Sequence, residues 1–108
     1  MSLAPIREVL AEYLKHFHQG EENAIHSRDL EKLFDLDRRS LQRNISRLRQ
    51  DAVPICSSGA GYFYAQTQAE INDTLRRLRT NMPSARDGLA HASLLYQEPL
   101  HIIVHITV

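Results

Sequence analysis

The stretch that most narrows what this chain can become is Asp37–Asp51, DRRSLQRNISRLRQD. Leu41, Ile45 and Leu48 are spaced four and three apart, so on a helix of 3.6 residues per turn they form one apolar stripe. Arg39, Arg43, Ser46 and Gln50 fall on the opposite side, with Gln42 and Arg47 flanking them. Between Arg38 and Gln50 stand five arginines and no acid. Asp37 suits the N-cap, where its carboxylate can accept from the free amides of the first turn. A helix anchored through the stripe would turn its guanidinium groups to solvent. Each offers five donors in a fork that fits phosphate oxygens and the edge of guanine. The same pattern also describes the solvated face of an ordinary amphipathic helix, so the neighbouring segments have to decide between the two.

Those neighbours predict a second helix and a hairpin. Ser27 is a good N-cap for a helix with Leu30, Leu33 and Phe34 facing inward, and Asp35-Leu36-Asp37 leaves room only for a tight turn. Two short helices so joined, the second basic outside and apolar inside, make a helix-turn-helix. Further upstream, Pro5 fits the first turn of a helix. Ile6, Val9, Leu10, Tyr13, Leu14 and Phe17 repeat along it at helical spacing as a core-facing set, and Gly20 ends it. Downstream, Val53–Cys56 and Tyr62–Ala65 flank a Ser/Gly turn, which predicts a hairpin. Alternation buries Ile55 on one strand and two aromatics on the other. A hairpin directly after a helix-turn-helix is a wing, and Ala24-Ile25-His26 would supply a third, minimal strand.

The C-terminal part carries a different signal. Ile71, Leu75, Leu78, Met82, Ala85, Leu89, Ala92 and Tyr96 alternate in steps of four and three, which is a heptad seam. Asp73 and Arg77 are placed to pair along the outer face. Pro83 interrupts the seam, so one kinked helix or two in line are expected, split near 81–84. The half from Leu89 to Tyr96 has little left in its own subunit to pack on. A homodimer through Leu78, Met82, Leu89, Ala92 and Tyr96 is therefore expected. Pro99 closes the helix, and Leu100–Val108, LHIIVHITV, is strongly strand-prone. An apolar strand at a chain end is an aggregation hazard unless it pairs, with the wing sheet or with its own copy.

Composition bounds the partners. Formal net charge is zero over 108 residues, but the charge is segregated: residues 26–50 carry seven bases and four acids, residues 51–75 three acids and no base. Phosphate neutralisation is local, so a neutral protein with one basic face can still bind nucleic acid. One cysteine, Cys56, excludes an internal disulfide and fits a reducing cytoplasm; in a strand it reads as small core filler. No run approaches membrane-spanning length, so no membrane partner is expected. His16 and His18 point to different sides of a helix end, and His101 and His105 lie about 13 Å apart along a strand, so neither pair has metal-ligand spacing. No paired carboxylates, nucleophile elbow or phosphate loop appears, and Gly59 and Gly61 serve the turn. Neither a cofactor nor a catalytic residue is expected, and the chain does not read as an enzyme.

The run IHSRDLEKLFDLDRRSLQRNISRLRQDAVPICSSGAGYFYAQTQAEI resembles the small winged helix-turn-helix proteins of phages and prophages in Gram-positive bacteria, and more loosely the biotin-repressor type of winged helix. The resemblance covers residues 24–96. It implies an α+β, mostly α fold with a three-helix core and a β-hairpin wing; the chain then divides into a winged helix-turn-helix over 1–66, the C-terminal dimerisation helix that the heptad seam predicts over 67–98, and an apolar tail over 99–108 that departs from the family pattern. It implies a cytoplasmic, sequence-specific binder of double-stranded DNA, acting in phage-type transcription regulation or replication initiation. Arg39, Arg43 and Arg47 then fall on the recognition helix, in the major groove, and Ser57–Gly61 on the wing tip. Arg39 and Arg43 are best placed to read guanine edges, with Gln42, Ser46 and Gln50 beside them. Arg38, Arg47 and Arg49 are assigned to phosphates, and Ser58 and the amides from Gly59 to Gly61 to backbone contacts. The wing tip has no Lys or Arg. That and the neutral charge fit the alternative, a winged helix used only for protein contact.

Overall fold

Two helical layers enclose a β-hairpin. The computed structural model describes residues 5–78 and 83–96; Met82 and the tail 99–108 lie outside them, as does the first half of the expected split at 81–84. The described chain is α+β and mostly helical: α1 Ile6–Phe17, α2 Ser27–Phe34, α3 Arg38–Gln50, β1 Ile55–Ser58, β2 Gly61–Tyr64, α4 Gln68–Arg77 and α5 Pro83–Leu95.

The first layer is α1 to α3. Leu10, Leu14, Leu30, Leu41, Ile45, Leu48 and Ile55 are buried together. The apolar stripe of α1 is wider than the groove it meets. Leu10 and Leu14 fill that groove and Tyr13 packs against Phe34, but Ile6, Val9 and Phe17 are exposed. Leu33 of α2 is exposed as well, so four residues expected inside are outside. Helix α2 starts at Ser27 itself, with His26 in the cap position and no side-chain cap. It stops at Asp35, which adopts the left-handed conformation (φ 53°), and the Leu36 amide reaches back to the Glu31 carbonyl at 2.9 Å. Asp tolerates this geometry better than most side chains.

The hairpin pairs Ile55 with Tyr64, Cys56 with Phe63, Ser57 with Tyr62 and Ser58 with Gly61. Side chains alternate between the faces of a strand. Ile55, Tyr62 and Tyr64 therefore join the first core, while Cys56 and Phe63 face the other way, onto Ala65, Ile71 and Leu89. Ile25 does add a minimal third strand, exchanging two backbone bonds of 2.9 Å with Tyr62. His18 and Gly20 bond the same strand at Tyr64.

The second layer is α4 and α5. Thr67 and Glu70 form a capping box at the start of α4. The Glu70 carboxylate also accepts the Glu21 amide at 2.8 Å, tying this helix to the loop after α1. Thr74 is buried on β1, where its hydroxyl accepts the Ser57 amide at 3.2 Å. Asp73 pairs with Arg76 rather than with Arg77. Helix α4 ends at Leu78 with extended backbone (ψ 131°). Helix α5 then folds back along α4 instead of continuing it in line or as a kinked extension. Near its far end Ser93 donates to Asn72 Oδ1 at 3.0 Å, and Gln68 Nε2 donates to the Ser93 carbonyl at 3.0 Å.

This fold-back corrects the expected dimer seam. Leu89 and Ala92 are buried inside the chain, Leu78 and Tyr96 are half-buried around the same cluster, and the Tyr96 hydroxyl donates to the Gln66 carbonyl. The described members of the heptad stripe are buried or half-buried, but their partners are the hairpin, α3 and the stripe's own other half. Helix α5 crosses α3 so closely at Gly88 that an added Cβ would lie 1.9 Å from the Arg49 carbonyl oxygen. Only glycine allows that approach.

Candidate nucleic-acid interface

Helix α3 is set by its two ends and its stripe. Asp37 caps it, accepting the Ser40 amide on Oδ1 at 2.7 Å, and that bond holds the Asp37 carboxyl below its usual range. Its last turn closes through Ala52, another left-handed residue (φ 63°), and the Val53 amide returns to the Leu48 carbonyl. With Leu41, Ile45 and Leu48 anchored in the core, Arg39, Gln42, Arg43, Arg47 and Gln50 are exposed, as the spacing predicts, and so is Arg38.

Four of the five arginines of α3 are thus on the surface. The ion pairs among the described residues are His16–Glu12 and Arg76–Asp73, and neither involves α3. Asp37 is near enough to feel the charges of Arg43 and Arg39, but the oxygen that caps the helix is already committed to Ser40. Arg43 donates to the Ser40 hydroxyl at 3.3 Å.

Arg49 departs from expectation. It is 7% exposed. Its Nε donates to the Ile55 carbonyl at 2.8 Å and its terminal nitrogen to the Ser57 hydroxyl at 3.2 Å. Burial lowers its pKa from the free value. Arg49 is a strut between α3 and β1 and cannot hold a DNA phosphate from there. Ser46 is buried too and drops out of the open face. Replacing Arg49 by Met should cost about 1–3 kcal/mol, because the Ile55 carbonyl loses its donor in a buried place. Urea denaturation measures it; a variant as stable as the parent would remove the strut.

The surface around α3 has two hollows on opposite flanks. The first, of about 270 Å³, lies between the start of α2, α3 and the hairpin; His26, Ser27, Glu31, Arg38, Gln42 and Ser58 line it. Ser58, expected to touch a DNA backbone, accepts the Ala60 amide on its hydroxyl oxygen at 3.1 Å and keeps its O–H proton to donate, while Gly59 stands in open space. The second, of about 450 Å³, is lined by Arg43, Asn44, Ser46, Arg47 and Gln50 of α3 and by Arg7 of α1. Among the described residues no carboxylate lines it. Arg7 is absent from the residues singled out by sequence: on its own helix it is one charge among mixed charges, and only the packing of α1 on α3 brings it here.

Other reactive groups are committed elsewhere. Cys56 is buried, and desolvation pushes its thiol up to about 11, far from a reactive thiolate. His18 donates from Nδ1 to the Asn23 carbonyl at 2.8 Å, and its Nε2 is hydrogen-bonded with the Tyr13 hydroxyl at 3.1 Å. Among the described residues no three His, Cys, Asp or Glu side chains are grouped to hold a metal ion, and no helix is long and apolar enough to cross a membrane. Comparison with family models, curated proteins and solved structures returns no match.

Proposed function

We propose that this protein is a winged helix-turn-helix that binds double-stranded DNA, with α3 in the major groove and the β1–β2 hairpin as the wing. The observation that carries the reading is the state of the α3 arginines: Arg38, Arg39, Arg43 and Arg47 are exposed and without an ion-pair partner among the described residues, on a helix whose other face is locked into the core. Four unneutralised guanidinium groups on one rigid helix repel each other in water and gain by meeting phosphates or guanine edges. Arg39 and Arg43, with Gln42 and Gln50, are the base-reading candidates; Arg38 and Arg47 hold phosphates. A sequence-specific regulator or replication-initiation protein of phage type is the setting that fits.

The reading predicts that Arg43→Ala weakens binding to a duplex selected from a random pool by about 1–3 kcal/mol and relaxes preference at one base position. Full affinity in that variant would take Arg43 out of the base-reading set. The second reading, a winged helix that contacts only protein, draws on the exposed Ile6, Val9 and Phe17 along α1. It differs in one result: such an adaptor would not bind duplex at low salt.

A further inference from the structure

The two hollows beside α3 are unequal, and the difference says which part of the molecule grips the DNA backbone. This inference rests on the proposed docking of α3 in the major groove. That groove is about 12 Å wide and walled by a phosphate strand on each side. A helix with its side chains is about 10–12 Å across, so each flank of α3 would face one strand. The hollow on the hairpin side presents one arginine, Arg38, together with the carboxylate of Glu31 and the hydroxyl of Ser58, whose oxygen already accepts a hydrogen bond. The hairpin tip adds no positive charge. The hollow on the α1 side presents Arg7, Arg43 and Arg47 with no carboxylate among the described residues, and Asn44 and Gln50 as neutral donors.

We propose that Arg7 of α1 and Arg47 of α3 form the phosphate clamp of this protein, on the flank of α3 away from the hairpin, and that the wing tip is not a clamp. Arg7 reaches this hollow from the first turn of α1, a separate element packed on α3, so the clamp is held by two elements of the same core. Arg43, exposed on the same helix, stays in the base-reading set. Arg7 also borders a groove lined by Glu8, Glu12 and Asp51, but it makes no ion pair of 4 Å or less with them.

The test is the salt dependence of binding to a random-sequence duplex between 50 and 200 mM salt, for the parent protein, Arg7→Ala, Arg7→Lys and Ser58→Ala. Each phosphate neutralised contributes about 0.9 to the slope of log affinity against log salt. Arg7→Ala should lose one such step, so that its affinity falls about three- to fourfold less than the parent's over that range. Arg7→Lys should keep the parent slope, since a lysine serves a phosphate as a point charge, and Ser58→Ala should keep it too. The slope does not depend on the fraction of active protein, so a partly unfolded variant still reports. A parent that binds with the same slope as Arg7→Ala overturns the clamp while leaving the role of α3 intact; a lowered slope in Ser58→Ala returns the grip to the wing. A parent that does not bind duplex at all overturns both the clamp and the reading it rests on.

Discussion

Leu89→Ala is expected to lower stability by about 2–5 kcal/mol, by the same amount at every protein concentration. Leu89 has no exposed surface and sits among Cys56, Phe63, Ala65 and Ile71, where α5 meets the rear face of the hairpin. Removing three carbons there leaves a hole that closes poorly. The backbone of Gly88, the residue before it, already touches that of Arg49, so α5 cannot move inward to fill the space. Urea denaturation at two concentrations tenfold apart decides the matter. A midpoint that rises with concentration, or a cost below about 1 kcal/mol, would put Leu89 back in a contact between subunits.

Gly61→Ala should cost about 3 kcal/mol or more, whereas Gly59→Ala, two residues away in the same turn, should stay within about 0.5 kcal/mol. Gly61 holds φ at 128°, a conformation that side chains rarely adopt, and a strained backbone there costs about 1–3 kcal/mol. The added Cβ would also lie 2.2 Å from the Ile25 carbonyl oxygen. That oxygen accepts the Tyr62 amide at 2.9 Å, so relieving the clash breaks the bridge that joins the hairpin to the first layer. At Gly59 nothing lies within 4 Å of the new atom. Thermal or urea denaturation of the pair gives the comparison, and equal stabilities would mean that the turn is not built as described.

How far the fold could be read in advance depended on whether one segment carried the information. The cap at Asp37 and the stripe of Leu41, Ile45 and Leu48 are local, and each is found where spacing put it, whereas the hairpin forms with its strands at Ile55–Ser58 and Gly61–Tyr64, because Ser57, Ser58 and Gly61 pair instead of serving the turn. The width of a buried stripe is not local. The apolar positions of α1 include Ile6, Val9 and Phe17, but how many are covered depends on the groove that α3 and β2 offer, and that groove takes Leu10 and Leu14. The heptad seam has the same ambiguity at larger scale. Steps of four and three suit two chains side by side, and suit equally a stripe that breaks after Leu78 and closes on its own hairpin. Arg49 lies next to Leu48 at the edge of the apolar stripe, where a long side chain can go outward or inward; the Ile55 carbonyl and the Ser57 hydroxyl turn it inward. Arg7 was hidden for the opposite reason: its significance lies in which helix it packs against.

The most direct test of the account is a titration of the unmodified protein with a random-sequence DNA duplex, beginning at 50 mM salt and repeated at increasing salt. Measurable binding is expected at low salt, weakening linearly on a log–log plot with a slope of about −0.9 for each phosphate met by the exposed arginines, and with a shallower slope when Arg39, Arg43 and Arg47 are together replaced by Ala. Absence of binding at the lowest salt, or an identical slope in the triple variant, would contradict it.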